Sequence, residues 1–513
     1  MTQSERISLP IWRKFIIFLI SLVLFSLQMI LFFFLFETYI NYNSQNKVGI
    51  LYILTLVIGF FYVGYIISKP ISTNYKLTWS VLILVLPIPF CLLYSLNSTS
   101  RRLSKRKRNK IINALNRLEI IDDFEELLND DSMGANLAQV IKYNGKFSVY
   151  KGSKFTFFND ALDKHNDFLI ELQKAKNFVL LEYFIISDGK LMDEIFPILS
   201  DLGNKGIKIY ILYDDVGSRG KMNRKLVKKL SKIPNCLITN YEPLGFSFNP
   251  LVNYRDHRKI AVIDGRVAYC GGDNLSDEYI HKSERFGFWR DNCGKYEGKV
   301  VNSFIYLFIE MWYTSTKNII KLEYQTLDYN EPGYIIPFGD GPTNNNDPSF
   351  NLFLAMISSA KKYIYISTPY FIIDDALRKI IALKARSGVK VVILMPKIPD
   401  KKSAYYMGRE NYKEILATGG QIFEFTPGFN HAKNIIVDDS YAFIGTINMD
   451  YRSLFLHYEC GALIINNPEI IKMKEDFVDA ISKSEEVTME KYKKRPIIQR
   501  LIAFVLNLFA PLF

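Results

Sequence analysis

Cysteine and histidine are both scarce: five of each in 513 residues. Cys91, Cys236, Cys270, Cys293 and Cys460 are scattered, odd in number and free of any CxxC spacing. That excludes a disulfide framework and gives no zinc-ligand pattern, and it fits ordinary buried thiols in a reducing compartment. The histidines are too few for chance clustering, so any that recur at a fixed spacing carry weight. Length alone exceeds a usual single domain. Hydrophobic residues make up 49% and charged residues 23%, an average that conceals a strongly apolar N-terminal stretch beside an ordinary globular composition.

Three apolar runs, residues 15–36, 48–68 and 77–96, each approach the roughly 20 residues a helix needs to cross a bilayer. They are read as two or three transmembrane helices within residues 1–100. The first is too long for a signal-peptide core and no A-x-A-like cleavage site follows it. Cytoplasmic flanks carry excess Lys and Arg. A cytoplasmic catalytic part places eight basic residues inside, Lys47 plus seven in residues 101–110, against five in the opposite model, Arg6, Arg13, Lys14, Lys69 and Lys76. The count favours a multi-pass cell-membrane protein with its globular part in the cytoplasm. Whether the first run spans or lies in the interface is left open. Residues 101–140 form a juxtamembrane linker whose basic cluster suits anionic headgroups, and the net charge of +12 agrees with an anionic surface or substrate. At the other end, residues 491–513 run from Lys493-Lys494-Arg495-Pro496 into a short apolar segment, suited to an interfacial membrane anchor.

Between these, β-rich runs alternate with helical patterns, and the order repeats. Residues 178–186, a helix pattern and residues 206–212 correspond to residues 363–373, a helix pattern and residues 388–394. Tyr183-Phe184 and Tyr370-Phe371 are taken as matching places. Two α/β copies, at 141–325 and 326–490, are therefore expected.

Each copy carries His-x-Lys with Asp at a fixed distance: His257, Lys259 and Asp264, then His431, Lys433 and Asp438. Gly271 and Asn274 lie 14 and 17 residues after His257, and Gly445 and Asn448 lie 14 and 17 after His431. On a strand, His and Lys two apart share a face. A neutral imidazole can attack phosphorus while an ammonium and an Asn amide hold the non-bridging oxygens. Two motifs together place one His on each side of a phosphodiester, one as nucleophile and one as acid, with no metal and no cofactor required. Asn274 and Asn448 are the expected phosphate-binding amides. Asp264 and Asp438 complete the catalytic motif, and they are expected to brace strand ends and the lysines rather than touch substrate. Each half also offers a carboxylate to orient an imidazole: Asp291, 34 residues after His257, and Glu459, 28 after His431. His165, His281 and His457 read as satisfied structural histidines.

These strings resemble the phospholipase D superfamily, and more narrowly the bacterial, phosphatidylglycerol-dependent cardiolipin synthases. The narrower likeness rests on Asn253-Tyr254-Arg255-Asp256-His257-Arg258-Lys259, Gly271-Gly272-Asp273-Asn274, Trp289-Arg290-Asp291 and Asn448-Met449-Asp450-Tyr451-Arg452-Ser453. Asp215-Val216-Gly217-Ser218, Gly341-Pro342 and Thr368-Pro369-Tyr370-Phe371 support it. The resemblance covers roughly residue 145 to the C-terminus. It implies two tandem phospholipase D-like domains, each a mixed sheet flanked by helices, related by a pseudo-twofold axis with one active site at their interface. It also implies a phosphatidyl-histidine intermediate on His257, with His431 protonating the departing glycerol and then deprotonating a second phosphatidylglycerol to give cardiolipin. The chain departs from the family pattern at Thr446, where Ser is common, at His457, where Asn is common, and in its additional first apolar run. Other readings are a hydrolase of the same chemistry, another phosphatidyltransferase, or a non-catalytic anionic-lipid-binding scaffold. The membrane-linked runs argue against a nucleic-acid partner. The second lipid, acyl-chain preference and oligomeric state are not written in the sequence.

Overall fold

The structure, a computed structural model, describes residues 47–98, 122–144, 147–242 and 254–512 apart from residues 70, 284, 343, 345 and 346, with isolated positions at 23–33 and 109. The apolar run 15–36 and the basic cluster 101–110 thus fall almost wholly outside the described residues. The chain divides into two compact units, one of Met1–Arg102 with Leu244–Asn253 and Leu508–Phe513, the other of Leu103–Pro243 with Tyr254–Asn507.

In the first unit, helices Lys47–Ile67, Thr73–Val85 and Pro87–Ser98 enclose a small core of Val63, Ile66, Tyr75, Trp79, Ile83, Cys91 and Tyr94. Side chains of the first helix are described from Ile53 onward, and Phe60, Phe61 and Ile67 point outward. The run expected to span at 77–96 is divided at Leu86 between two helices. Pro87 opens the second of these, where a missing N–H costs nothing but where the preceding helix must stop. Among the described residues no helix is long and apolar enough to cross a membrane.

The second unit contains both copies of the repeat. One sheet has the order Lys154–Phe158, Cys293–Glu297, Val267–Gly271, Lys259–Ile263, Phe178–Tyr183, Lys208–Asp214, Cys236–Tyr241. The other runs Tyr150–Gly152, Glu331–Asp340, Glu459–Ile465, Tyr441–Gly445, Asn434–Val437, Tyr363–Ser367, Lys390–Pro396, Gln421–Phe425, Ser484–Glu486. The shared seven strands have the same order and the same mixture of parallel and antiparallel neighbours. The extra edge strand Tyr150–Gly152 falls in the first copy by sequence yet pairs with Glu331–Asp340 of the second sheet.

The strands are apolar throughout because both faces are covered. Side-chain alternation sorts each strand between two cores. Leu180, Val262 and Cys270 join a core that also holds Ile336, Phe443 and Cys460 of the second sheet. Val179, Leu181, Ala261, Ile263 and Tyr269 face away and pack with Phe168, Leu172, Ile195 and Leu199 from helices Ala161–Gln173 and Lys190–Asn204. The sheets therefore pack on each other through one continuous core, and Cys270 Sγ lies 3.5 Å from Cys460 Sγ. Both thiols are free.

The register also corrects the alignment of the copies. Val179 pairs with Ile263 and Ile364 with Val437, each partner lying six residues after its motif histidine. That makes Tyr183 equivalent to Thr368, so Tyr370-Phe371 stands two places beyond Tyr183-Phe184. Aromatic identity in a short apolar run does not fix register; the pairing does.

Asp264 and Asp438 occupy matching left-handed turns, with φ of 56° and 54°. Asp264 accepts from the backbone N–H of Lys176, Asn177 and Phe178 at 2.7–2.9 Å, and Asp438 from those of Lys361, Lys362 and Tyr363 at 2.6–2.8 Å. Each thus starts the strand that pairs with its own motif strand, at the end away from the histidine and about 20 Å from it along the backbone. Asp264→Ala or Asp438→Ala strips three donors of their acceptor and should cost about 2 kcal/mol, read as a thermal midpoint several degrees lower. An unchanged midpoint in both variants would contradict this bracing role.

Candidate functional site

His257 and His431 immediately precede the strands Lys259–Ile263 and Asn434–Val437. They stand at the C-terminal ends of the parallel strands, since Tyr183 pairs with Lys259, the usual place for sites in such sheets. Two backbone junctions tie them to the opposite copy. Strand Gly428–Asn430 pairs in parallel with Phe288–Arg290, and His431 N donates to Arg290 O at 2.7 Å. Asp256 bridges Tyr458, with His257 N donating to Tyr458 O at 2.9 Å and Tyr458 N to Arg255 O at 2.8 Å.

Consequently the orienting carboxylates are exchanged. His257 Nδ1 lies 2.8 and 3.0 Å from the two oxygens of Glu459, and His431 Nδ1 lies 2.6 Å from Asp291 Oδ2. The same-copy pairing that spacing suggested is replaced by a crossed one, because the junctions bring residue 291 beside 431 and residue 459 beside 257. Each ring keeps Nε2 as the nitrogen with no protein partner among the described residues. An imidazole so held has a fixed tautomer and a stabilised cation.

Glu459 is fully buried and also accepts from Ser453 Oγ at 2.7 Å and from Thr446 Oγ1. Thr446, a departure from the family pattern, thus supplies the hydroxyl that a Ser would, and Ser453 was visible within a family string without its role being legible. Asp291 accepts from Asn292 N at 2.9 Å. It fits only because residue 272 is glycine: a β-carbon there would stand 2.1 Å from Asp291 Oδ1.

Lys259 and Lys433 are buried, and each Nζ donates to the carbonyl of its own motif histidine, Lys259 to His257 O at 2.6 Å and Lys433 to His431 O. They do not touch Asp264 or Asp438. Burial, Lys259, Lys433 and the other ring hold His257 well below the usual imidazole range. Burial, Lys433, Lys259 and Lys401 do the same to His431. Both histidines therefore sense a common set of cations. Lys401, on the loop before helix Lys402–Glu410, has no motif and was not found from sequence. Burial also lowers Lys433 to about 8, against the pull of Asp291, and raises Asp291 to about 6. The result is a buried cluster with two ammonium groups and two imidazole nitrogens without protein partners, the pattern expected of an anion site.

Asn274 is less free than expected. Asn274 Oδ1 accepts from Ile185 N at 3.0 Å and its Nδ2 donates to Tyr279 OH at 2.8 Å, leaving one N–H for a ligand. Asn448 is 5% exposed and its Oδ1 is buried without a partner. Aromatic rings pack beside the imidazoles: Phe184 4.8 Å from His257, and Trp289, Phe429 and Tyr279 at 5.3, 5.7 and 5.8 Å from His431.

Of the other histidines, His165 pairs with Glu194 and His281 with Asp160, both at 2.9 Å. His457 is different. It is buried 5.6 Å from His257, ring to ring, with neither nitrogen hydrogen-bonded, so it is not the satisfied structural histidine expected. Among the described residues, His257, His457 and Glu459 place one ligand atom each within 4.8 Å of one another.

The family model described as "Cardiolipin synthase, PLD-like domain" matches residues 353–481. A protein described as cardiolipin synthase 2 from Bacillus anthracis is 32% identical over 445 residues, 85% of this chain and 86% of that one. The chain belongs to the cardiolipin synthase family. An uncharacterized protein of Streptococcus mutans is 36% identical over 455 residues, covering 87% of this chain and 98% of its own. The crystal structure of a phosphatidylserine synthase from Haemophilus influenzae Rd KW20 superposes with a TM-score of 0.55 at 16% identity, over 74% of this chain and 98% of that one. That likeness supports the mixed α/β phospholipase D-like fold.

Two predictions follow for this cardiolipin synthase family member. Its kcat/KM should rise as pH increases through the Asp291 value of about 6, because the carboxylate must be ionised, and fall as pH passes the Lys433 value of about 8, because the ammonium must stay charged. In Lys433→Arg the alkaline limb should move up, since guanidinium keeps its proton; an unmoved limb would remove Lys433 from the profile. Gly272→Ala should lower kcat about tenfold or more by displacing Asp291, with the His257 side unaffected; full turnover would show that Asp291 tolerates the shift.

Proposed function

We propose that this chain is a phosphatidyltransferase that makes cardiolipin, moving a phosphatidyl group from one phosphatidylglycerol to another with release of glycerol. The observation that carries the reading is the pair of crossed imidazole–carboxylate hydrogen bonds beside two buried lysines. His257 Nε2 attacks phosphorus to form a phosphatidyl-histidine, while Glu459 stabilises the positive ring. Lys259, Lys433 and the remaining N–H groups of Asn274 and Asn448 hold the non-bridging oxygens.

His431 needs a proton to release glycerol. In the free enzyme burial and the nearby lysines keep both rings neutral, which suits the nucleophile. A bound phosphodiester anion offsets the lysines and lets His431 gain that proton, with Asp291 holding Nδ1. The second phosphatidylglycerol hydroxyl returns the proton to His431 and displaces His257. Assigning the nucleophile to His257 rather than His431 follows the family, since the two dyads are chemically alike.

Residues 141–325 and 326–490 act in this reading as two phospholipase D-like halves of a single catalytic body. Membrane attachment is assigned to the N-terminal apolar runs, with the catalytic halves on the cytoplasmic side, and to helix Ile497–Asn507. That helix buries Ala503 and leaves Ile497, Ile498, Leu501, Phe504 and Val505 exposed, the pattern of an interfacial helix.

Purified full-length enzyme on phosphatidylglycerol vesicles should give cardiolipin and glycerol in equal amounts, and His257→Ala or His431→Ala should lower the rate about 10³-fold or more while the fold is kept. Phosphatidic acid without cardiolipin would instead mark a phospholipase D-type hydrolase. Rapid denaturation in detergent at mildly alkaline pH, where the phosphorus–nitrogen bond survives, should trap the phosphatidyl group on His257; a label on His431 would reverse the roles. The double change Leu501→Asp and Phe504→Asp should reduce activity on vesicles but not on short-chain dispersed phosphatidylglycerol. Equal loss on both would reject the interfacial role of the helix.

A further inference from the structure

We propose that His257, His457 and Glu459 form an inhibitory site for a transition-metal ion of the zinc class, closed by one water. His457 is 9% exposed, and both of its ring nitrogens are buried without a hydrogen-bond partner. A buried imidazole left this way is costly and calls for an occupant. Its Nδ1 lies 3.7 Å from Glu459 Oε1, the same oxygen that is 2.8 Å from His257 Nδ1. Zinc bonds of about 2.1 Å in a tetrahedron set ligand atoms roughly 3.4 Å apart. One of these separations must therefore open by about half an ångström and the other close by a few tenths.

The carboxylate is already held from behind by Ser453 and Thr446, the kind of outer-shell support that metal ligands usually have. Lys259 and Lys433 oppose any cation, so ions held by charge alone, such as magnesium or calcium, are disfavoured. An ion with strong affinity for imidazole nitrogen suits the donor set.

The consequence is a change of tautomer. At rest His257 shares its Nδ1 proton with Glu459 and keeps the Nε2 lone pair free. A metal ion on Nδ1 displaces that proton and bonds to the electron pair it leaves on Nδ1, and the proton moves through water to the Nε2 lone pair. No proton is lost overall and no redox step occurs, but the nitrogen that would attack phosphorus now carries hydrogen. Inhibition by this route rests on the proposed role of His257, whereas binding of the ion does not.

Binding is tested with zinc alone on chelator-treated, full-length enzyme in detergent micelles without lipid. Titration calorimetry should give one zinc per chain, and cobalt in its place should show the visible bands of a four-coordinate ion. His457→Phe and His457→Asn should each weaken zinc binding about 10- to 100-fold. With phosphatidylglycerol vesicles, zinc should stop wild-type turnover reversibly by chelator, and the variants should keep their basal rate and need correspondingly more zinc. Absence of stoichiometric zinc in the wild type, or unchanged zinc affinity in both variants, would overturn the site. Zinc binding as expected without parallel inhibition would overturn the tautomer mechanism. A wild-type enzyme that binds zinc yet never converts phosphatidylglycerol would count against the functional reading alone.

Discussion

Everything in the catalytic unit depends on two hydrogen bonds that cross between the copies of the repeat, His257 to Glu459 and His431 to Asp291. Neither copy holds its own histidine. A half on its own would present an imidazole with no carboxylate and a buried carboxylate with no imidazole, each an uncompensated polar group. The backbone junctions at Phe288–Arg290 with Gly428–Asn430, and at Asp256 with Tyr458, make the exchange obligatory. The shared core that joins Leu180 and Val262 to Ile336 and Phe443 then makes it rigid. Fold and chemistry thus have the same origin, the packing of one sheet on its duplicate.

The electrostatics follow from that packing. Two ammonium groups are buried with two imidazoles, and the Glu459 and Asp291 carboxylates hold the imidazoles at Nδ1. Burial works against every charged form, but unequally: Asp291 rises, Lys433 falls, and both histidines are driven neutral. Such a cluster favours an anion, and in the proposed reaction a phosphodiester would supply the missing negative charge. Arg258, between the motif His and Lys, serves structure instead. It is buried and donates to Glu310 Oε2 at 2.8 Å and to Leu307 O at 3.0 Å, so it ties the motif strand to helix Val301–Thr316.

Much of this was legible in the sequence. The duplicated His-x-Lys spacing, the downstream glycines and asparagines and the two acidic candidates all fall in or around the site, because strand periodicity and a repeat length survive as simple counts along the chain. What was not legible depends on three-dimensional register. Spacing along the chain sets Asp291 with His257 and Glu459 with His431, and only the junctions reverse it. Tyr370-Phe371 matched Tyr183-Phe184 in type but not in register. His457 looked like a core histidine, since nothing in the sequence reveals that both its nitrogens lack partners. Lys401 acts through space from a loop without a motif. The third apolar run gave no sign beyond Pro87 that it would divide into two helices.

The crossed arrangement is tested most directly by a crystal structure of the full chain soaked with tungstate. One oxyanion should lie between His257 Nε2 and His431 Nε2, with Glu459 on Nδ1 of the first ring and Asp291 on Nδ1 of the second. Two oxyanions in separate cavities, or each histidine bonded to the carboxylate of its own half, would contradict the account.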